Sequence, residues 1–557
     1  MKKGVKIIAA LMSLATCFTV ATGCGGRANV DQTTDNTKTQ LYVKYYNGGF
    51  GEEWLNKLVA EFEAAYANES FEAGKTGVQI MKEFTRGQLT GPSSMKGNRN
   101  NVYLMEDVDY YTYASEGVLM DISDVVDDYA ITGLNQKETD RKISAKIPGI
   151  YDEFLKIDGK YYALPLFETS INLNYDIDLF EQKCLYFADG KTAEGFTEDD
   201  YKDEGKIGEL FVADKTDERS AGPDGKKGTD DDGLPATYAD FRALTIYMKI
   251  VSVTPFVWNG YETGYLTGLI NDMWANNEGA EQMKLNFTFD GTAKTLVDTI
   301  GSDGSVTLKG DTVITADNKQ LLQRQKGKLD ALRFAELLLD DGSGRSNSRN
   351  YYSKSFESSF LHTNAQNYFI DPEANGIGDN PIGFLVDGGW WYKEAKVTDR
   401  NIGILPLPKT DASKIGTPNT KVCDHVSYIF IGNETPAAVV PLAKAFVSFI
   451  NSDYALQTYT QYTSTMRAMD YEMPEATLAT MNAYGRSVYA NKKTSDTTVL
   501  PWVPVSAAAR SNASYLAYRT YGFSVNSADY TPLVYLNDHK DVTPEQYFEQ
   551  IWTFRNK

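Results

Sequence analysis

The sequence predicts an α/β protein with more than one core, and three observations carry that expectation. A chain of 557 residues is longer than a single hydrophobic core organises. Near its start, Leu41 to Tyr46, Asn47-Gly48-Gly49 and Glu52 to Tyr66 read as strand, glycine turn and helix, the first unit of an α/β domain. Far downstream, the apolar run Ile382 to Val386 has the length of a buried strand. It ends in Asp387-Gly388-Gly389, read as a turn, followed at once by Trp390, Trp391 and Tyr392.

Taken in order, the chain begins with an export signal. Lys2, Lys3 and Lys6 precede Ile7 to Val20, an apolar stretch too short to span a bilayer. Ala21-Thr22-Gly23-Cys24 follows, and small residues ahead of a cysteine resemble the lipobox of bacterial lipoproteins. That resemblance implies a signal peptide over 1–23, with Cys24 as the lipid-bearing (palmitate) first residue; ordinary cleavage near Ala21 is the alternative. Residues 24–40 are polar and read as a tether. Cys184 and Cys423 are the cysteines left over, and their spacing predicts no pairing. Two such Cys and three scattered His argue against zinc. A formal charge of -20 argues against nucleic acid and against an anionic bilayer surface as partners.

In the mature chain, Trp54 or Leu55, Leu58, Val59 and Phe62 recur at helical spacing behind the first turn. Val102 to Glu106 reads as a strand with Asp107, Asp109 and Tyr110 crowding its C-terminal end, where open α/β sheets bind ligands. Asp158-Gly159 marks a hairpin, Ile171 to Tyr175 a strand, and Thr237 with Asp240 a capped helix start. Lys328 to Asp340 and Pro441 to Asn451 have helical apolar stripes, and Ser427 to Ile431 reads as a strand. Asp189 to Gly233 is a long acidic insertion. Within it, Asp224, Asp231 and Asp232 sit on a glycine-bent loop that could supply oxygens to a structural calcium; a solvated acidic loop is the alternative.

The order of "YYNGGFGEEW", "NVYLMEDVDYYTYASEGVLMDISDVV", "IDGKYYALPLFETSINLNYDIDLF", "LPATYADF", "DGGWWY", "NIGILPLP" and "AKAFVSFINS" resembles the extracellular solute-binding proteins of bacterial ABC sugar importers, the maltose-binding-protein-like family 1. The resemblance implies a periplasmic-binding-protein-like fold (type II), with two α/β lobes joined by hinge strands and a ligand cleft between them. It implies no enzymatic activity and no required cofactor. It also implies a lipid-anchored monomer on the outer face of the cytoplasmic membrane, delivering an oligosaccharide to the permease of an ABC transporter. On that pattern, 41–166 belongs to the first lobe, 167–345 to the second (with the insertion at 189–233), 346–395 returns to the first, and 396–557 completes the second and extends it.

Flat rings with polar edges suit the C–H face and hydroxyl rim of a sugar, and carboxylates and amides accept its hydroxyl protons. Asn47, Asp109, Glu168, Trp258, Asp387, Trp390 and Trp391 are therefore the candidate ligand contacts. For Trp258, and for one or two rings of the 390–392 trio, a place in the core is the competing reading. Arg467 reads chiefly as a surface salt link. Two other function classes stay open. Glu168 and Asp387 could flank a glycosidic bond as a hydrolase pair. A peptide-binding lipoprotein is the third reading.

Overall fold

Every second side chain of Thr39–Tyr46 (Leu41, Val43 and Tyr45) is buried, the period of a strand with one face on a core. A computed structural model places that strand in a five-stranded sheet. It describes residues 33–556, apart from 107, 128–140, 341, 343–348, 372–379, 424, 500–521 and 527–530. Residues 1–32, which hold the expected signal peptide, Cys24 and most of the expected tether, lie outside the described residues. Among the described residues, no helix is long and apolar enough to cross a membrane.

The first sheet runs in the order Val78–Thr85, Thr39–Tyr46, Val102–Glu106, His425–Ile431, Leu164–Thr169. Its first three strands are parallel, and His425–Ile431 is antiparallel to both of its neighbours. Helix Glu53–Ala65 buries Trp54, Leu55, Leu58, Val59 and Phe62 against this core. Each such side chain contributes roughly 1.5–3 kcal/mol of burial.

The second sheet runs Ile402–Ile404, Ile171–Asp176, Ile382–Gly388, Thr254–Val257. Ile382–Gly388 is antiparallel to Ile171–Asp176 and parallel to Thr254–Val257. Both of its faces are covered. Phe384 and Val386 face the second main core, while Leu385 between them faces a smaller cluster with Trp391, Phe369 and Tyr484. A strand covered on both sides reads as an unbroken apolar run, which is why it was visible in the sequence.

Among the described residues, the chain passes between the lobes three times. Leu164–Thr169 ends in the first sheet and Ile171–Asp176 starts in the second. Asn419–Cys423 leads back to His425–Ile431. After Ser495–Val499, helices Pro532–Asp538 and Pro544–Arg555 pack in the second core. Asn419–Cys423 and Ser495–Val499 pair in parallel, tying two of the three crossings together.

Two expectations need correction here. Residues 346–395 do not return to the first lobe, because Ile382–Gly388 is a central strand of the second sheet. Residues 396–557 are divided, since helices Val440–Phe449 and Asp453–Thr463 build the first core. An apolar run announces a buried strand but not which partners it pairs with. The acidic insertion contributes to the second core. Ala193, Ile207, Leu210, Phe211 and Val212 are buried in the second core, and Phe211 stacks on Tyr247 at 4.0 Å.

Local chemistry explains several boundaries. Thr237 and Asp240 form the reciprocal capping box that starts helix Tyr238–Ile250. Asp158 (φ 51) and Gly159 (φ 79) both adopt the left-handed conformation that a two-residue hairpin turn requires. Cys184 and Cys423 are not joined by a disulfide.

Candidate functional site

Trp390 stands two residues beyond strand Ile382–Gly388 and packs against both main cores while remaining partly exposed. Glycines let it approach the backbone. A Cβ on Gly388 would lie 2.2 Å from the indole ring, so only glycine leaves room for the ring there. Gly388 thus serves close approach inside the strand, not the turn read from the sequence. From the other lobe, a Cβ on Gly49 (φ +98) would lie 3.1 Å from Trp390 Cβ. Asn47 shapes that facing turn, its Oδ1 accepting from the amides of Gly49 (3.3 Å) and Gly51 (3.2 Å). The ring of Tyr265, on helix Gly264–Glu278, meets Trp390 edge-on at 5.5 Å and 74°. One aromatic therefore stands where the two lobes meet, braced by a second. Gly388→Ala is expected to push the indole off its strand, shifting the tryptophan emission maximum and weakening solute binding; an unchanged spectrum and affinity would contradict this placement.

Asp387, within the preceding strand, is only 1% exposed. Gln366 Nε2 donates to its Oδ2 (3.0 Å) and the Gly388 amide to its Oδ1 (2.7 Å). Burial nonetheless pushes its pKa up from 3.8 to about 7. Gln366 also donates to Glu394 (3.3 Å), and His362 sits between Glu262 (3.6 Å) and Glu394 (3.8 Å). A raised carboxyl pKa favours the folded state at low pH. Its contribution is complete below about pH 4 and is lost as pH rises toward 7, at about 1.4 kcal/mol per pH unit. Denaturant unfolding of the wild type and Asp387→Asn across pH 4–7 should show that slope in the wild type minus variant difference. A flat difference would refute the assignment.

Glu168 has a different setting. Lys492 Nζ donates to its Oε2 at 2.6 Å, and the Tyr151 hydroxyl lies 3.4 Å away. Lys421 is close by, donating to Asn172 Oδ1 (3.1 Å), while Asp272 accepts from the Val422 amide (2.6 Å). Glu168 belongs to the first crossing, Lys421 to the second, and Lys492 to the helix that leads into the third. The polar groups at the crossings therefore form one connected hinge cluster. Lys492 also lines a cavity of about 730 Å³ between Pro148–Ile150 and Met466–Tyr471 on the first core and Glu278–Lys284 on the second. Lys284 spans that gap to Glu153 at 2.8 Å.

Other expectations meet the structure less well. Trp258 and Trp391 are wholly buried. Trp258 packs on Tyr351 and Phe356, and Trp391 on Phe369 and Tyr484, so both rings are core. Asp109 is exposed, but its carboxylate caps helix Tyr110–Ser115 by accepting from Thr112. Arg467 is not a surface residue. It is fully buried, donating to Leu166 O, Ile450 O (3.2 Å) and Asn451 Oδ1 (2.8 Å). In the acidic loop, Asp231 accepts from the Asp224 amide and from Thr229, and Asp232 from the Gly228 amide. These carboxylates tie their own loop. Among the described residues, no group of three or more His, Cys, Asp or Glu is arranged to hold a metal.

Tyr265, Gln366 and Lys492 were missed in the sequence. None sits in a motif, and each gains its place only through packing.

Two α/β lobes, three crossings and a braced aromatic where the lobes meet define a two-lobed binding protein. Residues 57–470 match the model of the bacterial extracellular solute-binding protein family, and the chain belongs to that family. It is a family of binders, not of enzymes. No curated protein sequence matches the chain. Solved structures do. A chitin oligosaccharide binding protein superposes with a TM-score of 0.52 at 13% identity, covering 93% of this chain and 98% of that one. RafE, in its raffinose complex, gives 0.51 at 13%, covering 93% and 99%; its apo form is from Streptococcus pneumoniae. The GacH receptor of Streptomyces glaucescens, solved unliganded and with acarbose, gives 0.50 at 12%, covering 93% and 97%. At such identities these likenesses show the fold.

The hydrolase pair meets a steric objection. Asp387 is buried, its oxygens accepting from Gln366 and the Gly388 amide, and Glu168 is ion-paired with Lys492 at 2.6 Å, so neither carboxylate is open to a glycosidic oxygen.

Proposed function

We propose that the protein binds an oligosaccharide between its lobes and hands it to the permease of an ABC transporter, held at the cell surface by a lipid on Cys24. The observation that carries the reading is Trp390, a partly exposed indole packed against both cores and facing the Gly49 turn of the opposite lobe. Such a ring offers one lobe's apolar face to a sugar that the other lobe must cover. Three structural neighbours are described as binding raffinose, acarbose or chitin oligosaccharide, which supports the same ligand class.

The mechanism follows from the hinge. Open and closed forms differ by a few kcal/mol, and a ligand shifts the balance only through contacts it makes better in the closed form. A sugar on Trp390 gains those contacts when the Gly49 turn moves over it. The hinge cluster of Glu168, Lys492 and Lys421 keeps the three crossings together through that motion.

A thermal-shift screen of oligosaccharides, peptides and amino acids tests the reading. A glycan should raise the melting temperature, with no release of reducing sugar on prolonged incubation. Stabilisation by peptides alone would overturn it, and so would sugar release.

A further inference from the structure

A second recess, away from Trp390, opens on the side of the second lobe. It has a volume of about 820 Å³, within the range of small-molecule sites. One wall is the acidic loop around Asp230, and the opposite wall is helix Ala483–Thr494. Its floor includes the rings of Tyr175 and Tyr186. Arg219 lies 3.6 Å over the Tyr186 ring and is ion-paired to Glu181 at 2.5 Å, so its charge is already met. Gly403 keeps the floor open, because a Cβ there would fall 2.5 Å from the Tyr175 ring.

Asn491 is the group that calls for a ligand. It lines the recess, is 93% buried (7% exposed), and its Oδ1 accepts from Ser495 Oγ at 3.0 Å. Its Nδ2 has no partner among the described residues. A buried donor left unsatisfied costs about 1–3 kcal/mol, so something that accepts a hydrogen bond belongs there. The rest of the wall narrows the chemistry. Asp224, Asp230, Asp231, Asp232 and Glu181 outweigh Arg219, Lys226 and Arg486, which disfavours an anion. A bare cation has no lone pair to offer Asn491. A polyhydroxylated ligand does both jobs, one hydroxyl accepting from the amide and another donating to the exposed Asp230 carboxylate across the recess.

We propose that this recess is a second saccharide site, taking a neutral polyhydroxylated ligand outside the interlobe cleft. The acidic insertion supplies one of its walls. Asn491 adjoins Lys492, so the same helix serves the recess on one face and the hinge cluster at its end.

The test uses the Trp390→Ala protein, in which the cleft site is weakened, with raffinose, maltotriose and triacetylchitotriose as probes. Saturation-transfer NMR should show saturable binding of at least one probe in the millimolar range. Adding Asn491→Leu should weaken it by about tenfold or more. Asp230→Asn, an exposed change that leaves the core untouched, should weaken it in parallel. Absence of saturable binding for all three probes overturns the proposal, as does binding indifferent to both changes. Failure of the cleft reading has a different signature: the wild type and Trp390→Ala would then bind equally.

Discussion

Trp390→Ala is expected to lower the affinity for the bound glycan by about tenfold or more while the protein stays folded. The indole is the one ring of the Trp390-Trp391-Tyr392 trio that is partly exposed and shared between the cores. Truncation removes a stacking face worth about 1.5–3 kcal/mol of apolar burial, against about 1.4 kcal/mol per factor of ten in affinity. Because Trp390 sits at the edge of both cores, its loss opens no central cavity, and the denaturation midpoint should move little. Trp390→Phe should restore part of the affinity by keeping a flat face. Calorimetry with the glycan found by screening checks this; wild-type affinity in the alanine variant would remove Trp390 from the site.

Arg467→Ala should have the larger effect on stability, a loss of roughly 3 kcal/mol or more. The guanidinium is fully buried in the first lobe beneath strand Leu164–Thr169. Its donors go to two backbone carbonyls and an amide oxygen, joining Leu166 to Ile450 and Asn451 at the end of helix Val440–Phe449. Carbonyls at a helix end have no intrahelical partner, and a cation there also meets the negative end of the helix dipole. Each acceptor stranded by the truncation costs about 1–3 kcal/mol. The charge itself is strained by the site, since burial pushes the Arg467 pKa down to about 10. Arg467→Lys should rescue only in part, because one ammonium cannot reach three acceptors held by a planar fork. Urea unfolding reads the result, and an unchanged midpoint in the alanine variant would show that these bonds are dispensable.

The two residues show how differently a sequence reports its parts. Strands Thr39–Tyr46, Val102–Glu106 and Ile382–Gly388 and the cap at Thr237 were legible, because each follows from the spacing of apolar or capping residues along a few turns of chain. Glu168 was singled out, but its clamp Lys492 lies 324 residues away. Arg467 was placed at the surface because arginines usually are, and only a pocket of carbonyls brought from two distant segments makes burial tolerable.

By itself the sequence determined the α/β class, the family resemblance, several of the strands and helices that build both lobes, and the short stretch that holds the key aromatic. Only the tertiary structure decided that Ile382–Gly388 joins the second sheet, that Trp390 faces the junction of the lobes while Trp391 and Trp258 are core, and that polar side chains from separate crossings meet at the hinge. The reason is physical. Periodicity is a local property of the chain, whereas exposure and pairing depend on which distant segments come to lie against a side chain, and a shift of one residue is enough to turn a ring from groove to core.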